Sequence, residues 1–145
     1  MVLAALGPVA CAPVVDHHAP ELHGTLTRDG APLADVPVSL AINGAAAGAT
    51  RTDSAGSFLL PSARTRTWML LYGDREDAWT LSFQLGPAQT LELDDHGPWG
   101  GPDRLDLRCD LHGDLAPPTR IAVEPLGPDR RRVLRSDVKC SFVER

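Results

Sequence analysis

The sequence predicts an all-β chain that folds as a single antiparallel β-sandwich. The length of 145 residues suits one domain, and the 13 glycines and 13 prolines provide many turns. Apolar residues recur at every second position in several short segments, which is typical of half-buried strands. No segment keeps the three-to-four spacing of an amphipathic helix over a useful length. We therefore expect about seven to nine short strands and little helix.

The predicted sandwich comprises residues 22–145 and begins with two alternating segments. Residues 22–27 alternate between apolar and polar, and Asp29 and Gly30 then supply a tight turn. Residues 36–42 alternate again. Because Pro37 withholds a backbone donor, this strand lies at a sheet edge or its proline lies at an unpaired position.

The middle of the chain predicts a loop followed by two strands. Residues 44–48 are alanines and glycines, which we interpret as a loop, and a turn at 53–56 precedes the alternating Phe58 and Leu60. Residues 67–72 form a nearly continuous apolar run, which favours a central strand covered on both faces.

The second half of the chain supplies the remaining predicted strands, which are separated by turn residues. Alternating segments cover residues 79–85, 91–93, 105–111 and 138–142. Ile121 and Val123 start a late hairpin in this interpretation.

Charge and hydropathy exclude two classes of partner. The chain has 14 basic and 19 acidic residues, a net charge of −5, which argues against the broad positive surface of a nucleic-acid-binding protein. No apolar stretch reaches the roughly 18 residues that span a bilayer. Any membrane attachment is therefore expected to be covalent or peripheral.

The first 11 residues form an apolar run that ends in small residues before Cys11, the pattern of a secretory signal. Val9, Ala10 and Cys11 resemble the last three positions of the lipobox of bacterial lipoproteins. The resemblance implies that residues 1–11 are a signal segment, that Cys11 is lipidated, and that the protein is anchored in the periplasm at the outer membrane. Residues 12–21 would be a flexible tether. The alternative is a buried N-terminal strand containing Cys11.

With Cys11 set aside, Cys109 and Cys140 form an even pair in a chain that would mature in an oxidising compartment. We expect a disulfide between them. Closing a loop of about 30 residues stabilises a fold by about 3 to 4 kcal/mol in the chain-entropy model. The alternative is two separate buried thiols.

The segment 23–60 resembles the carboxypeptidase regulatory-like domain of the transthyretin-like superfamily. Gly24 matches its first-strand glycine, residues 30–38 match its G-x-P-L-x-x-V-x-V strand, and residues 52–58 match its T-D-x-x-G-x-F turn. The resemblance implies a prealbumin-like, Greek-key sandwich. It carries no catalytic residues, because these domains mostly act as stability or binding modules.

The strand Leu107, Cys109, Leu111 and the late Cys140 resemble a narrower group of small periplasmic lipoproteins. Some members act as immunity proteins against phospholipase effectors of the type VI secretion system. The resemblance implies that this chain binds and sterically neutralises a secreted toxic enzyme, a phospholipase. Its partners would be that enzyme and, through the lipid anchor, the membrane, with no nucleic acid.

Two other functions remain open at this stage. One is a structural or assembly accessory lipoprotein of the cell envelope, which would use the same sandwich as a scaffold. The other is a carbohydrate-binding module that uses Trp79 and Trp99, which requires both rings to be exposed on one surface.

Catalytic machinery is not apparent in the sequence, so we expect a protein that is not an enzyme and needs no cofactor. No G-x-S-x-G motif occurs, and Ser136 and Ser141 lie in a basic segment without a neighbouring His. Tyr72 is the only tyrosine, which excludes the iron site of intradiol dioxygenases of related shape.

The histidines and aspartates do not predict a metal site. Three histidines fall in or near the expected tether, where solvation is the simpler interpretation. Two polar loops could form a carboxylate and imidazole cluster if they share one end of the sandwich; the alternative is ordinary turn polarity. The residues concerned are His17, His18 and His23 for the first group, and Asp94, Asp95, His96, Asp110, His112 and Asp114 for the second.

Two surfaces are candidates for binding a partner. Residues 120–145 hold seven basic and four acidic residues, so their arginines could contact an acidic partner, although a solvated hairpin is the simpler alternative. The loop at 96–102 presents an aromatic anchor, which alternatively folds back over the sandwich. The predicted contact residues are His96, Trp99, Arg130, Arg131, Arg132 and Arg135.

Overall fold

The structure, a computed structural model, describes residues 14–68, 77–97, 104–115, 119–127 and 130–144. Within these ranges the chain forms strands and turns and no helix, so the all-β prediction is confirmed. No described helix is long and apolar enough to cross a membrane. The described strands are β1 (Val14–Ala19), β2 (Glu21–Arg28), β3 (Ala31–Pro32), β4 (Pro37–Ile42), β5 (Ala45–Arg51), β6 (Ser57–Leu60), β7 (Ala63–Trp68), β8 (Asp77–Gly86), β9 (Gln89–Gly97), β10 (Arg104–Leu111), β11 (Thr119–Ala122), β12 (Glu124–Gly127), β13 (Arg130–Arg135) and β14 (Val138–Glu144).

The strands form two large sheets and one small one. The seven-stranded sheet has the order β12-β13-β14-β10-β2-β3, and β6 also pairs with β2. The five-stranded sheet has the order β11-β9-β8-β4-β5, and β1 pairs with β7 in a two-stranded sheet. Phe58 meets Phe83, and Trp79 meets Phe142, edge-to-face between the two large sheets. These sheets therefore pack as a sandwich around one core.

Alternating apolar residues build this core, as the sequence predicts. In β10 every second residue is buried, and the same holds for β2, β4 and β6. The largest fully buried side chains are Phe83, Phe142, Leu26, Leu60, Leu81, Leu91, Leu93, Leu107, Leu111, Val38, Val133 and Val138.

Both large sheets are mixed, which corrects the prediction of a purely antiparallel sandwich. β2 pairs with β10 in parallel, and β9 pairs with β11 in parallel. Parallel neighbours cannot be joined by a tight hairpin, so these pairs join strands that lie apart in the sequence. Ile121 accordingly belongs to β11, and the late hairpin is instead β12 with β13.

The strand that contains Pro37 is internal, because β4 pairs with β5 on one side and β8 on the other. Pairing with β8 starts only at Val38, so Pro37 occupies the unpaired position that a proline needs. The segment 44–48, predicted as a loop, belongs mostly to β5. Asn43 and Gly44 both have positive φ, as a two-residue hairpin turn requires. With β5 and further strands that were not predicted, such as β1 and β3, the described residues contain 14 strands rather than the expected seven to nine.

The ordered region also starts earlier than predicted. Residues 14–19, assigned to a tether, form β1 and pair antiparallel with β7. Ala19 is buried in the core. Within the described residues β7 pairs only with β1, and 69–72, the greater part of the predicted central strand 67–72, lie outside the described residues.

The predicted disulfide is confirmed. Cys109 of β10 lies directly opposite Cys140 of β14, with 4.1 Å between their Cα atoms, and both side chains are buried. The bond joins two strands near the middle of the seven-stranded sheet. It therefore fixes the alignment of these strands covalently.

The packing of the core explains why position 24 is a glycine. Its backbone lies opposite Phe58 in the pairing of β2 with β6, and a Cβ atom on Gly24 would overlap the Phe58 ring. The missing side chain lets the ring lie flat over β2 and reach Phe83 in the other sheet, 5.7 Å away between ring centroids.

Replacing this glycine tests the packing. We expect Gly24→Ala to lower the free energy of unfolding by about 1 to 3 kcal/mol, because the added methyl group displaces the Phe58 ring. Gly86→Ala is the matched control, since the atoms nearest its new Cβ lie 3.9 Å away. Urea denaturation compares the two. Equal stability of both variants would contradict the prediction.

Removing the disulfide tests the cross-link. We expect the double variant Cys109→Ala/Cys140→Ala to have a free energy of unfolding about 3 to 4 kcal/mol lower than that of the oxidised protein. The reason is that its unfolded chain is no longer restricted by the closed loop. Chemical denaturation with and without reductant measures this directly. A loss below about 1 kcal/mol would show that the bond adds little to the register that the sheet already imposes.

Candidate functional site

The candidate site is the face of the seven-stranded sheet that points away from the core, here called the outer face. Successive residues of a strand point to opposite faces of a sheet. Leu107 and Cys109 of β10 are buried in the core, whereas Arg104 and Arg108 are exposed. The polar residues of β2, β6, β10 and β14 therefore line the outer face together.

The pairing registers align five of these residues across the sheet. Ser57 lies opposite Thr25, Thr25 opposite Arg108, Arg108 opposite Ser141, and Ser141 opposite Arg132. We call this line of residues the hydroxyl-guanidinium row. With strands about 4.8 Å apart, the row extends across about 19 Å.

Apolar residues lie on the neighbouring row. His23 is opposite both Leu59 and Asp106, and Asp106 is opposite Val143. Leu59 is 48% exposed and Val143 is 37% exposed, and they are the exposed large hydrophobic residues of the described chain. Arginine is enriched at protein interfaces relative to the rest of the surface, and Leu59 and Val143 add exposed apolar area beside it.

Two clefts indent the outer face and meet at Arg108. One, of about 280 Å³, includes Thr25, Ser57 and Arg104 in its lining. The other, of about 180 Å³, lies between Asp106, Arg108, Ser141 and Val143. Arg108 lines both clefts. The outer face is therefore concave on either side of this guanidinium.

Some charged side chains of the outer face have a neighbouring partner. Arg104 Nε lies 2.7 Å from Asp106 Oδ1, and His23 Nε2 hydrogen bonds with Glu21. Among the described residues, Arg108 and Arg132 have no hydrogen bond or ion pair from their side chains. Their two positive charges are therefore open to an external anion.

Two of the predicted arginines of β13, Arg132 and Arg135, lie on opposite faces of the sheet. Arg132 lies opposite Ser141 on the outer face, whereas Arg135 lies opposite the buried Val138, three residues further along the strand. Because side chains alternate between the two faces of a strand, residues that are three positions apart point to opposite faces, and so do these two arginines. Arg135 Nη2 also donates to Asp137 Oδ2 at 2.6 Å, and this hydrogen bond lowers the pKa of Asp137.

The other predicted contact residues are described only in part. Arg130 and Arg131 lie in β13 and His96 lies in β9, but their side chains are outside the described residues. Trp99 and Cys11 lie outside the described residues altogether.

A polar cluster does form around His112, at the turn that follows β10. The imidazole lies between two carboxylates, with Nδ1 3.1 Å from Asp29 Oδ1 and Nε2 3.5 Å from Asp110 Oδ2. Asp110 Oδ1 also accepts hydrogen bonds from Thr27 Oγ1 at 2.6 Å and from the Gly30 backbone at 3.1 Å. These contacts join the end of β10 to the hairpin after β2.

The second polar loop does not join this cluster. Gln89, the first residue of β9, donates to the Leu115 carbonyl and thus lies near the His112 turn. Asp94 lies five residues further along β9, where it contacts Thr80 and Arg120. The two loops are therefore at opposite ends of the strand. The described residues contain no group of three or more His, Cys, Asp or Glu that could hold a metal ion.

The hydrogen bond from Thr27 holds the pKa of Asp110 below its ordinary value of 3.8, and the Gly30 amide and nearby His112 and Lys139 charges act in the same direction. Because its pKa is lowered in the folded protein, Asp110 makes stability depend on pH. Ionised Asp110 stabilises the fold above pH 3.8, and this contribution is lost as the pH falls through its pKa in the folded protein.

Sequence reasoning missed Arg104 and Arg108, although a signal was present. Both alternate with the apolar residues of β10, which places them on the exposed face of a strand whose buried face the sequence predicts. No protein-family model matches the chain, and no curated protein matches it. The relation to transthyretin-like domains and to immunity proteins stays a prediction.

Replacing Thr27 tests the Asp110 contact. We expect Thr27→Val to raise the pKa of Asp110 toward 3.8 and to destabilise the protein at neutral pH, because the carboxylate loses its closest donor. The difference in stability from the unmodified protein should shrink as the pH falls below 3.8. NMR titration and urea denaturation between about pH 2 and pH 7 measure both effects.

Thr90→Val is the matched control, because the Thr90 hydroxyl donates to Gln84 rather than to a carboxylate. A stability loss in Thr27→Val that stays constant across the pH range would contradict the proposed linkage.

Proposed function

We propose that this chain is a lipid-anchored periplasmic binding protein that is not an enzyme and that sterically neutralises a secreted toxic enzyme, a phospholipase delivered by a type VI secretion system. The observation that carries the proposal is the outer face, where two clefts meet at the unpaired Arg108 and the exposed Leu59 and Val143 lie on the neighbouring row. Arginine is enriched at protein interfaces, and burying Leu59 and Val143 against a partner would add apolar contact.

Rigidity of the outer face supports the same proposal. The Cys109–Cys140 bond joins β10 and β14, the two strands that carry Arg108 and Ser141. A surface that is already fixed loses little conformational freedom on binding, so more of the interaction energy appears as affinity. A standard interface of about 1,600 Å² would be sufficient to block the entrance to an active site.

The anchor proposal rests on the lipobox resemblance at Cys11. β1 begins at Val14, so the chain between them can extend over at most about 11 Å. A lipid on Cys11 would therefore hold the sandwich close to the membrane rather than on a long tether.

The carbohydrate-binding alternative loses its support. It requires Trp79 and Trp99 to be exposed together, but Trp79 is only 3% exposed and packs edge-to-face against Phe142.

Gene deletion and capture test the proposed function. We expect cells that lack this chain to become sensitive to attack by sister cells, because the delivered enzyme is no longer blocked. The purified chain should form a stoichiometric complex with the enzyme encoded beside it and abolish its lipid hydrolysis. If deletion never sensitises the cells, or if capture yields a large envelope complex, the proposal is wrong.

A substitution on the outer face links that function to the surface. Val143→Glu should abolish protection and complex formation, because it replaces an exposed apolar contact with a charge. Ala49→Glu is the matched control, since Ala49 is exposed on β5 of the other sheet. Far-ultraviolet dichroism verifies that both variants fold. Full protection by Val143→Glu would exclude the outer face.

A further inference from the structure

Arg108 and Arg132 occupy matching positions on strands that are separated only by β14. Ser141 lies between them and opposite both. Two strand spacings of about 4.8 Å place the two backbone positions about 10 Å apart. The row therefore presents two guanidinium groups with a hydroxyl between them, and two more hydroxyls, Thr25 and Ser57, beyond Arg108.

We infer that the hydroxyl-guanidinium row binds two carboxylates, about 10 Å apart, on an acidic segment of the partner protein. This inference rests on the proposed function, because it states which part of the toxic enzyme the outer face recognises. Guanidinium presents a planar set of N–H donors that matches a carboxylate with two parallel hydrogen bonds. The hydroxyls of Ser141 and Thr25 add donors beside each bound carboxylate.

Arg108 and Arg132 differ from other arginines of the described chain that already form ion pairs. Arg51 Nη1 lies 3.0 Å from Asp35 Oδ1, and Arg120 Nε lies 2.6 Å from Asp94 Oδ2. Arg108 and Arg132 form no such pair among the described residues. Beyond the end of the row, Glu124 of β12 lies opposite Arg132 in the backbone register, and its side chain is outside the described residues.

The shape of the outer face favours a protein segment over an anionic membrane. Membrane recognition by charge uses dense clusters of about four to eight basic residues. The described part of the outer face instead has three basic side chains without an ion pair, interspersed with the acidic Glu21 and Asp106, on a chain of net charge −5. These three are Arg108, Arg132 and Lys139. The clefts on either side of Arg108 and the exposed Leu59 and Val143 suit the mixed side chains of a protein.

A short peptide tests the recognition directly. The probe is a capped peptide with two glutamates separated by three glycines. In an extended chain both glutamate side chains then point to the same face, about 13 Å apart along the backbone, and their flexible stems can bring the carboxylates to about 10 Å. The control peptide has glutamine in place of both glutamates. In NMR titrations of the full chain, we expect the glutamate peptide to shift the amides of Thr25, Arg108 and Ser141. Equal shifts from the glutamine peptide, or shifts confined elsewhere, would overturn the inference.

Charge-removing variants identify the residues involved. Arg108→Gln and Arg132→Gln should each weaken peptide binding about tenfold, the effect of losing one charge-assisted hydrogen-bonded contact. Arg51→Gln is the matched control, because it removes the same charge from β5, and its binding should be unchanged. Unchanged affinity in Arg108→Gln, or an equal loss in Arg51→Gln, would show that the row is not the site.

Two further measurements separate this inference from its alternatives. The first compares the binding of phosphatidylglycerol vesicles by the unmodified chain and by Arg108→Gln, and we expect no difference between them. If vesicle binding depends on Arg108 and the peptide does not bind, the row recognises lipid and the inference is wrong. If the neighbouring enzyme binds both variants as tightly as the unmodified chain, the inference is wrong and the proposed function stands. If the peptide binds as expected but no toxic enzyme is captured, the row stands and the proposed function is wrong.

Discussion

The alignment of β10 between β2 and β14 is the constraint on which the rest of the structure depends. Because side chains alternate, a shift of one residue in this strand would move Arg108 into the core and Cys109 to the surface. The buried leucines of β10 oppose such a shift, and the Cys109–Cys140 bond prevents it with respect to β14. The same alignment that builds the core therefore places Thr25, Arg108 and Ser141 in one line on the opposite face.

The parallel pairing of β2 with β10 has a second consequence, at the end of the sheet. It brings the end of β10 beside the hairpin that follows β2, where Asp110 receives hydrogen bonds from Thr27 and Gly30. The Asp29 amide also donates to the Leu111 carbonyl at 2.8 Å. Asp110 and the backbone groups at this strand end are thus hydrogen-bonded locally, whereas His112 Nε2 is buried without a hydrogen-bond partner among the described residues. We interpret the carboxylates and the imidazole of His112 as parts of one local polar network.

Local sequence patterns predicted the buried faces, the turns and the disulfide. They could not predict which distant segments pair as neighbouring strands. Alternation identifies Leu107 as buried and Arg108 as exposed, but it contains no information on which strands become neighbours. The row could therefore not be predicted, since it depends on three separate registers. β5 was missed because alanine and glycine have low strand propensity, although Asn43 and Gly44 are a strong hairpin signal. Arg132 and Arg135 were assigned to one surface because they are close in sequence. The alternation of side chains along a strand places them on opposite faces instead.

Affinity and selectivity would come from different residues of the outer face. An exposed arginine is well hydrated, and losing that water on binding offsets much of the attraction to a carboxylate. In the proposed complex Arg108 and Arg132 would therefore each add modest affinity and would also exclude partners without matching carboxylates, since burying an unpaired guanidinium is costly. Leu59 and Val143 have no such desolvation cost, and burying an apolar side chain completely is worth about 1.5 to 3 kcal/mol. Because both kinds of residue lie on neighbouring rows of one rigid sheet, a partner has to match charge spacing and apolar contact at the same time.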